Sequence, residues 1–369
     1  MKNPLHEKWM RRALELAERG RIGTSPNPMV GACVISNGRV AGEGWHQKYG
    51  GDHAETPALK AAGSRAKGAS LYVTLEPCST WGKTPPCAAS IIKAGIRNVF
   101  IGSPDPNPQN HGKGIAALRK EGIRVTSGIL AEEVRRQNES FFQYIKTGLP
   151  FVTLKMAQSL DGKIASRTGR SRWITSIPAR KFVHKLRVEQ DAILVGKNTL
   201  LKDDPALMPR IQVKNGDPLK PWRIAMDPHF EVSRKARIFK GEQLTLIAVS
   251  ESRHSRNPLQ RSSPLGSGMT LLPIKEKNGG LQIKDLLKKL GALGVARLLV
   301  EGGGELAWSL LSEKHVNKIY WIMAPTFIGG REAKTSVEGP GFENPGQAIR
   351  FKIDTVSKLG EDWLFEGRP

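Results

Sequence analysis

The pattern of apolar and polar positions along the chain indicates short helices and strands that alternate. Leu5, Trp9 and Leu16 follow helical spacing, which predicts an amphipathic opening helix. A short apolar run over 29–35 predicts a buried strand, and the Asn-Gly turn after it predicts a hairpin. The same reasoning predicts strands at 40–45, 70–75, 99–102 and 123–126, and helices at 53–62, 87–94 and 131–145. Such alternation is typical of a sheet covered by helices, so an α/β fold is predicted here.

A second set of elements begins after residue 150, and the segment 147–150 (Thr-Gly-Leu-Pro) is the natural domain boundary. Beyond it, strands are predicted at 151–156, 192–195, 222–226, 244–249, 297–300 and 319–323, and helices at 179–189, 283–290 and 305–311. A chain of 369 residues exceeds what one hydrophobic core usually organises. We therefore predict two α/β domains, one over 1–147 and the other over 151–369.

Composition argues against a membrane-spanning or disulfide-rich protein and favours a soluble one. Apolar residues make up 39% of the chain, and no run approaches the roughly 20 apolar residues of a membrane-spanning helix. No apolar signal core follows the N-terminus, and three cysteines are too few for a disulfide framework, so a cytoplasmic location is expected. The formal net charge of +23 is spread over both halves. It favours attraction of small anionic substrates, and a nucleic-acid-binding surface is the alternative.

The strongest chemical signal is a histidine and two cysteines in the first half of the chain. His53 is followed by Cys78 and then by Cys87. One imidazole and two thiolates leave the fourth position of a tetrahedral zinc open for water, which is typical of catalytic zinc. His53 and Cys87 are both expected where a helix begins, and a helix N-terminus would stabilise the Cys87 thiolate.

A carboxylate beside these ligands completes a set for hydrolysis. Glu55 lies two residues after His53, and it could move a proton from water to a leaving amine, as hydrolytic deamination requires. The alternative is that the cysteines are small core residues, as buried free cysteines usually are. We interpret Cys33, inside an apolar run, in that way.

The sequence around these residues resembles a known family. The His-x-Glu and Pro-Cys pair resembles the signature of cytidine and nucleobase deaminases. The segments that look like the deaminase half of the bifunctional deaminase/reductase family of riboflavin biosynthesis are 26–32, 53–55, 74–78, 82–87 and 105–108. This resemblance implies a cytidine-deaminase-like three-layer α/β/α domain that binds zinc, with Asn27, His46 and Lys83 contacting the pyrimidine and its phosphoribosyl group. Thr80 and Trp81 depart from the pattern, because the family has a histidine there.

Motifs in the second half resemble the reductase half of the same family, a domain similar in fold to dihydrofolate reductase. They are 155–165, 173–176, 196–199, 203–205 and 300–304. Three glycines between a strand and a helix let backbone amides approach a phosphate, although glycine runs alone are more often simple turns. The resemblance implies NADPH as cofactor, with contacts at Asn198, Thr199, Gly302, Gly303 and Gly304. It implies substrate contacts at Lys155, Thr175, Asp203, Arg210 and Glu301, with Arg210 suited to clamp a phosphate and Asp203 favoured as proton donor.

The favoured hypothesis is a fused enzyme that deaminates a diamino-hydroxy-phosphoribosylamino-pyrimidine and then reduces its ribosyl side chain with NADPH. The expected partner is that phosphoribosyl pyrimidine, and neither nucleic acid nor a membrane is expected. Two alternatives stay open: a nucleic-acid-binding deaminase, whose binding would be salt-sensitive, and a protein with one inactive half. Association into a homo-oligomer through the second domain also stays open.

Overall fold

The computed structural model describes residues 3–81, 85–211, 220–254, 268–277 and 279–369, and the chain forms two compact units. The first unit is Met1–Gly148 and the second is Leu149–Pro369. The division falls inside the segment 147–150 that the sequence marks as a boundary. Within the described ranges, no helix combines the length and the apolar character that crossing a membrane needs.

In its described residues, the first unit has five strands and six α-helices. The strands are β1 (Gly31–Ser36), β2 (Arg39–Trp45), β3 (Ser70–Leu75), β4 (Asn98–Ser103) and β5 (Arg124–Ser127). The helices are α1 (Pro4–Glu18), α2 (Glu55–Ala62), α3 (Cys87–Lys93), α4 (Lys113–Lys120), α5 (Ala131–Gln137) and α6 (Glu139–Thr147). The strand order is β2-β1-β3-β4-β5, with β1 antiparallel to its two neighbours and β3, β4 and β5 parallel.

Residues of β1 alternate between the two faces of this sheet, and helices cover each face. Ala32 and Val34 pack in one buried cluster with apolar residues of α2, α3 and α4. Cys33 and Ile35 pack in another cluster with apolar residues of α1. Because a strand has a side-chain period of two, this alternation buries both faces. The predicted three-layer α/β/α arrangement of the first domain is confirmed.

Two glycines let α2 lie directly on β2. A Cβ atom on Gly42 would lie 2.2 Å from the carbonyl oxygen of Ala58, and one on Gly44 would lie 2.4 Å from that of Ala54. Real Cβ atoms do not approach so closely, so larger residues here would push the helix away from the sheet. This approach fixes the start of α2, where a predicted zinc ligand and the predicted proton carrier lie.

The second unit is also α/β. Its strands are β6 (Phe151–Ser159), β7 (Ala192–Val195), β8 (Trp222–Met226), β9 (Thr245–Ser250), β10 (Met269–Ile274), β11 (Glu276–Lys277), β12 (Gly280–Leu281), β13 (Arg297–Val300), β14 (Lys318–Ala324), β15 (Lys352–Leu359) and β16 (Asp362–Arg368). Its helices are α7 (Ile177–Val188), α8 (Lys197–Asp203), α9 (Glu251–His254), α10 (Ile283–Ala292) and α11 (Gly304–Ser312).

Nine of these strands form one sheet in the order β10-β9-β8-β7-β13-β6-β14-β16-β15. The first seven strands in this order, β10, β9, β8, β7, β13, β6 and β14, are parallel to one another. The last two, β16 and β15, are antiparallel to their neighbours. Side chains of β7 alternate between two buried clusters, one on each face. The carboxyl ends of the neighbouring strands β7 and β13 lead into α8 and α11, and ligands of open parallel sheets bind at such ends.

The structure corrects several details of the sequence prediction. The helix predicted from residue 53 begins at Glu55. The helical region predicted over 131–145 is two helices that meet at Asn138, because its side-chain amide pairs with both backbone groups of Met29 at 2.8 and 2.9 Å. Elements that the pattern does not predict include α4, α8 and the hairpin of β15 and β16. The predicted two-domain α/β class is confirmed.

Candidate active sites

His53, Cys78 and Cys87 converge in the first unit, at the start of α2, after β3 and at the start of α3. Nδ1 of His53 lies 3.6 Å from Sγ of Cys78 and 3.2 Å from Sγ of Cys87. The three atoms all lie within 4.8 Å of one another. Around tetrahedral zinc, with bonds of about 2.0 Å to nitrogen and 2.3 Å to sulfur, such atoms lie ~3.5 Å apart. The donor types and their spacing therefore fit a zinc ion held by three side chains.

The two thiols differ in proton affinity. The pKa of Cys78 is lowered to about 4, because the Cys87 thiol donates to its sulfur and His53 lies beside it. The pKa of Cys87 is raised, first by that same hydrogen bond and then by burial. The backbone amide of Cys87, at the start of α3, donates to Sγ of Cys78 at 3.3 Å. The N-terminus of α3 therefore stabilises the Cys78 thiolate, which the sequence does not predict, and stabilisation of the Cys87 thiolate by the same helix stays a prediction.

Glu55 is a buried carboxyl group beside these ligands. It is the first residue of α2, and its side chain interacts with the Cys87 thiol. Burial raises the pKa of Glu55 above its ordinary value, and the nearby His53 opposes that shift. A carboxyl group with a raised pKa holds a proton more readily than an ordinary carboxylate, which suits a group that takes up a proton and then returns it.

His46 and Asn27 form a hydrogen-bonded pair next to the zinc ligands. The rings of His46 and His53 lie edge to face, with centroids 5.4 Å apart. Nδ1 of His46 lies 2.8 Å from the carbonyl oxygen of Asp52, and Nε2 lies 3.1 Å from Nδ2 of Asn27. A carbonyl only accepts, so Nδ1 carries the hydrogen and Nε2 accepts from the Asn27 amide. Burial lowers the pKa of His46, which favours this neutral form.

A cavity of about 390 Å³ opens beside these side chains. Its size is typical of a small-molecule site, which spans about 300 to 1,000 Å³. The predicted site residues that line it are Asn27, His46, His53, Glu55 and Cys78. It is also lined by residues to which the sequence analysis assigns no role, among them Tyr49, Glu76, Thr80, Asp105, Asn107, Asn110 and Tyr144. Thr80, which departs from the family pattern, is therefore a wall residue. Lys83, the third predicted substrate contact, lies outside the described residues.

Two cavities lie at the carboxyl ends of parallel strands in the second unit. The smaller, of about 330 Å³, is lined by these predicted cofactor contacts: Asn198, Thr199, Gly303 and Gly304. The larger, of about 690 Å³, is lined by Gly302 and by all the predicted substrate contacts, Lys155, Thr175, Asp203, Arg210 and Glu301. Five residues line both cavities: Ile164, Ser171, Thr199, Asp203 and Gly303. Ligands in the two cavities would therefore meet beside these five residues.

Two of the three glycines after β13, Gly303 and Gly304, serve different purposes. A Cβ atom on Gly304 would lie 2.6 Å from the carbonyl oxygen of Thr335, so packing requires glycine at that position. A Cβ atom on Gly303 would meet nothing closer than Oγ1 of Thr199 at 3.8 Å, which is an ordinary contact. Packing does not require glycine at position 303. The absence of a side chain there leaves space in the cavities that Gly303 lines. The first-turn backbone amides of α11 lie at this wall, and amides at a helix N-terminus favour anions.

Asp203 lies where the two cavities meet, at the last residue of α8. Its Oδ1 accepts a hydrogen bond from Oγ of Ser171 at 3.0 Å. Its carbonyl oxygen accepts one from Arg172 at 2.6 Å. These contacts tie the segment around Ser171 to the end of α8. Hydrogen bonds to its side chain and to its backbone carbonyl therefore fix the position of Asp203, the predicted proton donor.

Glu301 is held by two cations at the wall of the larger cavity. Arg187 donates to both of its carboxylate oxygens, at 2.6 and 2.9 Å, and Nζ of Lys155 lies 3.7 Å from Oε2. Burial alone would raise the pKa of Glu301, but Arg187 and Lys155 outweigh it and hold that pKa at about 2. Burial lowers the pKa of Lys155. Glu301 is therefore ionised at neutral pH and engaged with Arg187, a cavity residue that the sequence motifs do not mark.

Two family models match the chain, in the order of its two units. The cytidine and deoxycytidylate deaminase zinc-binding region matches residues 3–103. The RibD C-terminal domain matches residues 150–365. The zinc-binding match includes all three converging ligands, since His53, Cys78 and Cys87 lie before residue 103.

Similar proteins match nearly the whole chain. The riboflavin biosynthesis protein RibD of Aquifex aeolicus is 40% identical over 358 residues, which cover 97% of each protein. A solved structure of Acinetobacter baumannii RibD (form 1) has a TM-score of 0.88 at 34% identity and covers 99% of both chains. A diaminohydroxyphosphoribosylaminopyrimidine deaminase/5-amino-6-(5-phosphoribosylamino)uracil reductase of Thermotoga maritima has a TM-score of 0.86 at 35% identity, also with 99% of each chain covered. The similarity spans both units.

Proposed function

Because the chain belongs to the RibD family of riboflavin biosynthesis proteins, we propose that the cavities of its two units are the two active sites of one bifunctional enzyme. The chain is a zinc-dependent deaminase fused to an NADPH-dependent reductase, as its motifs predict. It hydrolytically deaminates 2,5-diamino-6-(phosphoribosylamino)pyrimidin-4-one and then reduces the ribosyl side chain, giving 5-amino-6-(5-phosphoribitylamino)uracil. The main support for this assignment is that His53, Cys78 and Cys87 converge beside a cavity that Glu55 also lines.

We assign deamination to residues 1–147. Zinc held by the histidine and the two cysteines supplies a Lewis acid that makes water nucleophilic near neutral pH. Glu55 takes the proton of the attacking water and returns it to the leaving amine, a role that its burial and raised pKa support. Asn27 and His46 hold the pyrimidine, because their hydrogen-bonded pair lines the cavity. Lys83 is assigned to the phosphoribosyl group from the sequence motif.

We assign reduction to residues 151–369. NADPH supplies the hydride. Asn198, Thr199 and the turn 302–304 hold the cofactor, since Asn198, Thr199, Gly303 and Gly304 line the smaller cavity and Gly302 lines the adjoining one. Arg210 and Thr175 hold the substrate, with Arg210 on its phosphate. Asp203 gives the proton.

Glu301 takes a more specific role than the substrate contact that the sequence predicts. Its carboxylate oxygens are both engaged by Arg187, and Lys155 lies beside one of them. We assign Glu301 to holding these two cations in the substrate cavity, where they face a phosphorylated ligand. Lys155 remains assigned to the substrate.

Assaying the purified protein on each substrate separately tests this assignment. With the diamino pyrimidine and no NADPH, we expect release of ammonia equimolar with the substrate consumed. With the deaminated substrate and NADPH, we expect equimolar oxidation of NADPH. Absence of both reactions from the zinc-loaded protein would contradict the proposed function.

We also propose that chains associate through the second unit. β15 lies at the edge of the nine-stranded sheet, and an edge strand offers unpaired backbone groups to a partner. Ile353, Val356 and Trp363 of this hairpin are exposed by 49%, 49% and 38%. Exposed apolar side chains beside an open sheet edge favour contact with a second copy.

Replacing Val356 by lysine is expected to weaken this association, because a charge would have to be buried at the interface. We expect light scattering to show a wild-type mass that is a multiple of 40.5 kDa and a lower mass for Val356→Lys. Leu293→Lys, at an exposed apolar position after α10, is the matched control and should leave the mass unchanged. A monomeric wild type, or an unchanged mass for Val356→Lys, would refute the interface.

A cytoplasmic location is the remaining part of the proposal. The three cysteines are unpaired, and two of them are zinc ligands. Free thiols persist in reducing compartments. Cell fractionation that recovered the protein outside the cytoplasm would contradict this location.

A further inference from the structure

Glu76 is a buried carboxylate that the deaminase assignment does not use. It lies between the end of β3 and the zinc ligand Cys78, and only 4% of its surface is exposed. One carboxylate oxygen, Oε2, accepts the backbone N–H groups of Asp105 and Gly112, both at 3.1 Å. The other, Oε1, accepts that of Ile115 at 3.2 Å. Three amides from a distant segment therefore depend on one side chain.

The segment that donates these amides forms one wall of the deaminase cavity. Asp105, Asn107 and Asn110 line that cavity. Asp105 accepts the backbone N–H of Asn107 at 2.9 Å and the side-chain amide of Asn110 at 2.8 Å. Asn110 in turn accepts the backbone N–H of Ser79 at 3.3 Å. Hydrogen bonds thus connect Glu76 to the wall residues, and the wall residues to Ser79, which follows Cys78.

Backbone packing brings the same two segments together. A Cβ atom on Gly114, in the first turn of α4, would lie 1.9 Å from the carbonyl oxygen of Pro77. The helix start therefore sits against the peptide that leads into Cys78. At this spacing a small displacement of α4 would move the wall relative to the zinc ligand.

A carboxylate suits this position better than any neutral side chain. Its two oxygens only accept, and together they offer about four lone-pair directions for three donors. A glutamine would present an NH₂ group to at least one backbone N–H, and leaving a buried amide unpaired costs about 1–3 kcal/mol. The charge also favours the N-terminus of α4, where Gly112 and Ile115 lie.

We propose that Glu76 is a positioning residue of the deamination reaction. It sets the place of the wall formed by Asp105, Asn107 and Asn110 relative to Cys78, and thereby the affinity for the pyrimidine substrate. It takes no part in proton transfer. This inference rests on the proposed assignment of deamination to this cavity.

Glu76→Gln in the full-length, zinc-loaded protein tests the inference. We expect KM for the diamino pyrimidine to rise about 10- to 100-fold, because the wall shifts, while kcat changes by no more than about threefold. Zinc content and the pH dependence of kcat should match those of the wild type. NADPH oxidation with the deaminated substrate should be unchanged, which controls for the rest of the chain.

Glu43→Gln is the matched control. It removes another hydrogen-bonded carboxylate of the first unit, one that pairs with Arg12 and does not line the cavity. We expect its KM and kcat to equal those of the wild type.

Two results for Glu76→Gln would overturn the inference. A large fall in kcat with an unchanged KM, or a shifted pH profile, would place Glu76 in proton transfer. Activity reduced only in proportion to the zinc-loaded fraction, with KM unchanged, would show a purely structural role. If a wild-type protein released no ammonia, the proposed function would fail instead.

Ile115→Pro is a second variant that leaves the carboxylate in place. It removes one of the three donated N–H groups, in the first turn of α4, where a backbone N–H has no acceptor within the helix. We expect KM to rise in the same direction by a smaller factor, about 3- to 10-fold. An unchanged KM for this variant would also overturn the inference, even if Glu76→Gln failed to fold.

Discussion

Replacing Glu55 by glutamine is expected to lower kcat for deamination by about 10²- to 10⁴-fold, because the amide cannot carry the proton from water to the leaving amine. Glutamine matches glutamate in size and fits the same buried position at the start of α2. Zinc should remain bound, since Glu55 is not among the three converging ligand side chains. Ammonia release measured by a coupled assay checks the loss, and metal analysis checks the zinc.

The second unit supplies an internal control for this variant. NADPH oxidation with the deaminated substrate should proceed at the wild-type rate in Glu55→Gln, because the residues assigned to reduction lie in a separate compact unit. A variant that kept deaminating at the wild-type rate would remove Glu55 from the mechanism. Parallel loss of both activities would contradict separate sites.

Replacing Glu301 by glutamine is expected to lower kcat/KM for reduction by about 10²- to 10⁴-fold, since breaking a buried ion pair costs about 3–5 kcal/mol. The pKa of about 2 means that the carboxylate is charged throughout the neutral range. Without that charge, Arg187 and Lys155 repel each other across the cavity wall and lose their common anchor. Initial rates of NADPH oxidation over a range of substrate concentrations measure the effect.

Glu366→Gln is the matched control for this prediction. Glu366 pairs with Lys318 at 2.6 Å in the same unit and lines neither cavity. We expect it to retain wild-type reduction, and we expect both variants to retain wild-type deamination. If Glu301→Gln kept the wild-type kcat/KM, Glu301 would have no part in holding the substrate cavity.

The zinc ligands could be predicted from the sequence alone, because their chemistry is visible in single residues. A His-x-Glu motif at His53, followed by the spaced cysteines Cys78 and Cys87, is typical of zinc-dependent deaminases. Side chains that act through partners far away in the sequence leave no such motif in it. Arg187 and Glu301 are 114 positions apart, so only folding brings them together. The same holds for Glu76, which is 39 positions from Ile115.

Two of the elements missing from the prediction, α8 and β15, have a weak periodic pattern. α8 has seven residues and buries only Leu200, so no apolar stripe marks it. β15 is largely exposed along its length, and an edge strand without a buried face shows no alternation. The central strands were predictable because burial on both faces makes them continuously apolar, as in β7.

Mixing the Glu55→Gln and Glu301→Gln proteins tests most directly whether one chain carries two separate active sites. From the diamino pyrimidine and NADPH, each variant alone should form little ribitylamino product. We predict that the mixture restores product formation, because one protein deaminates and the other reduces the released intermediate. A mixture as inactive as its two components would contradict the account.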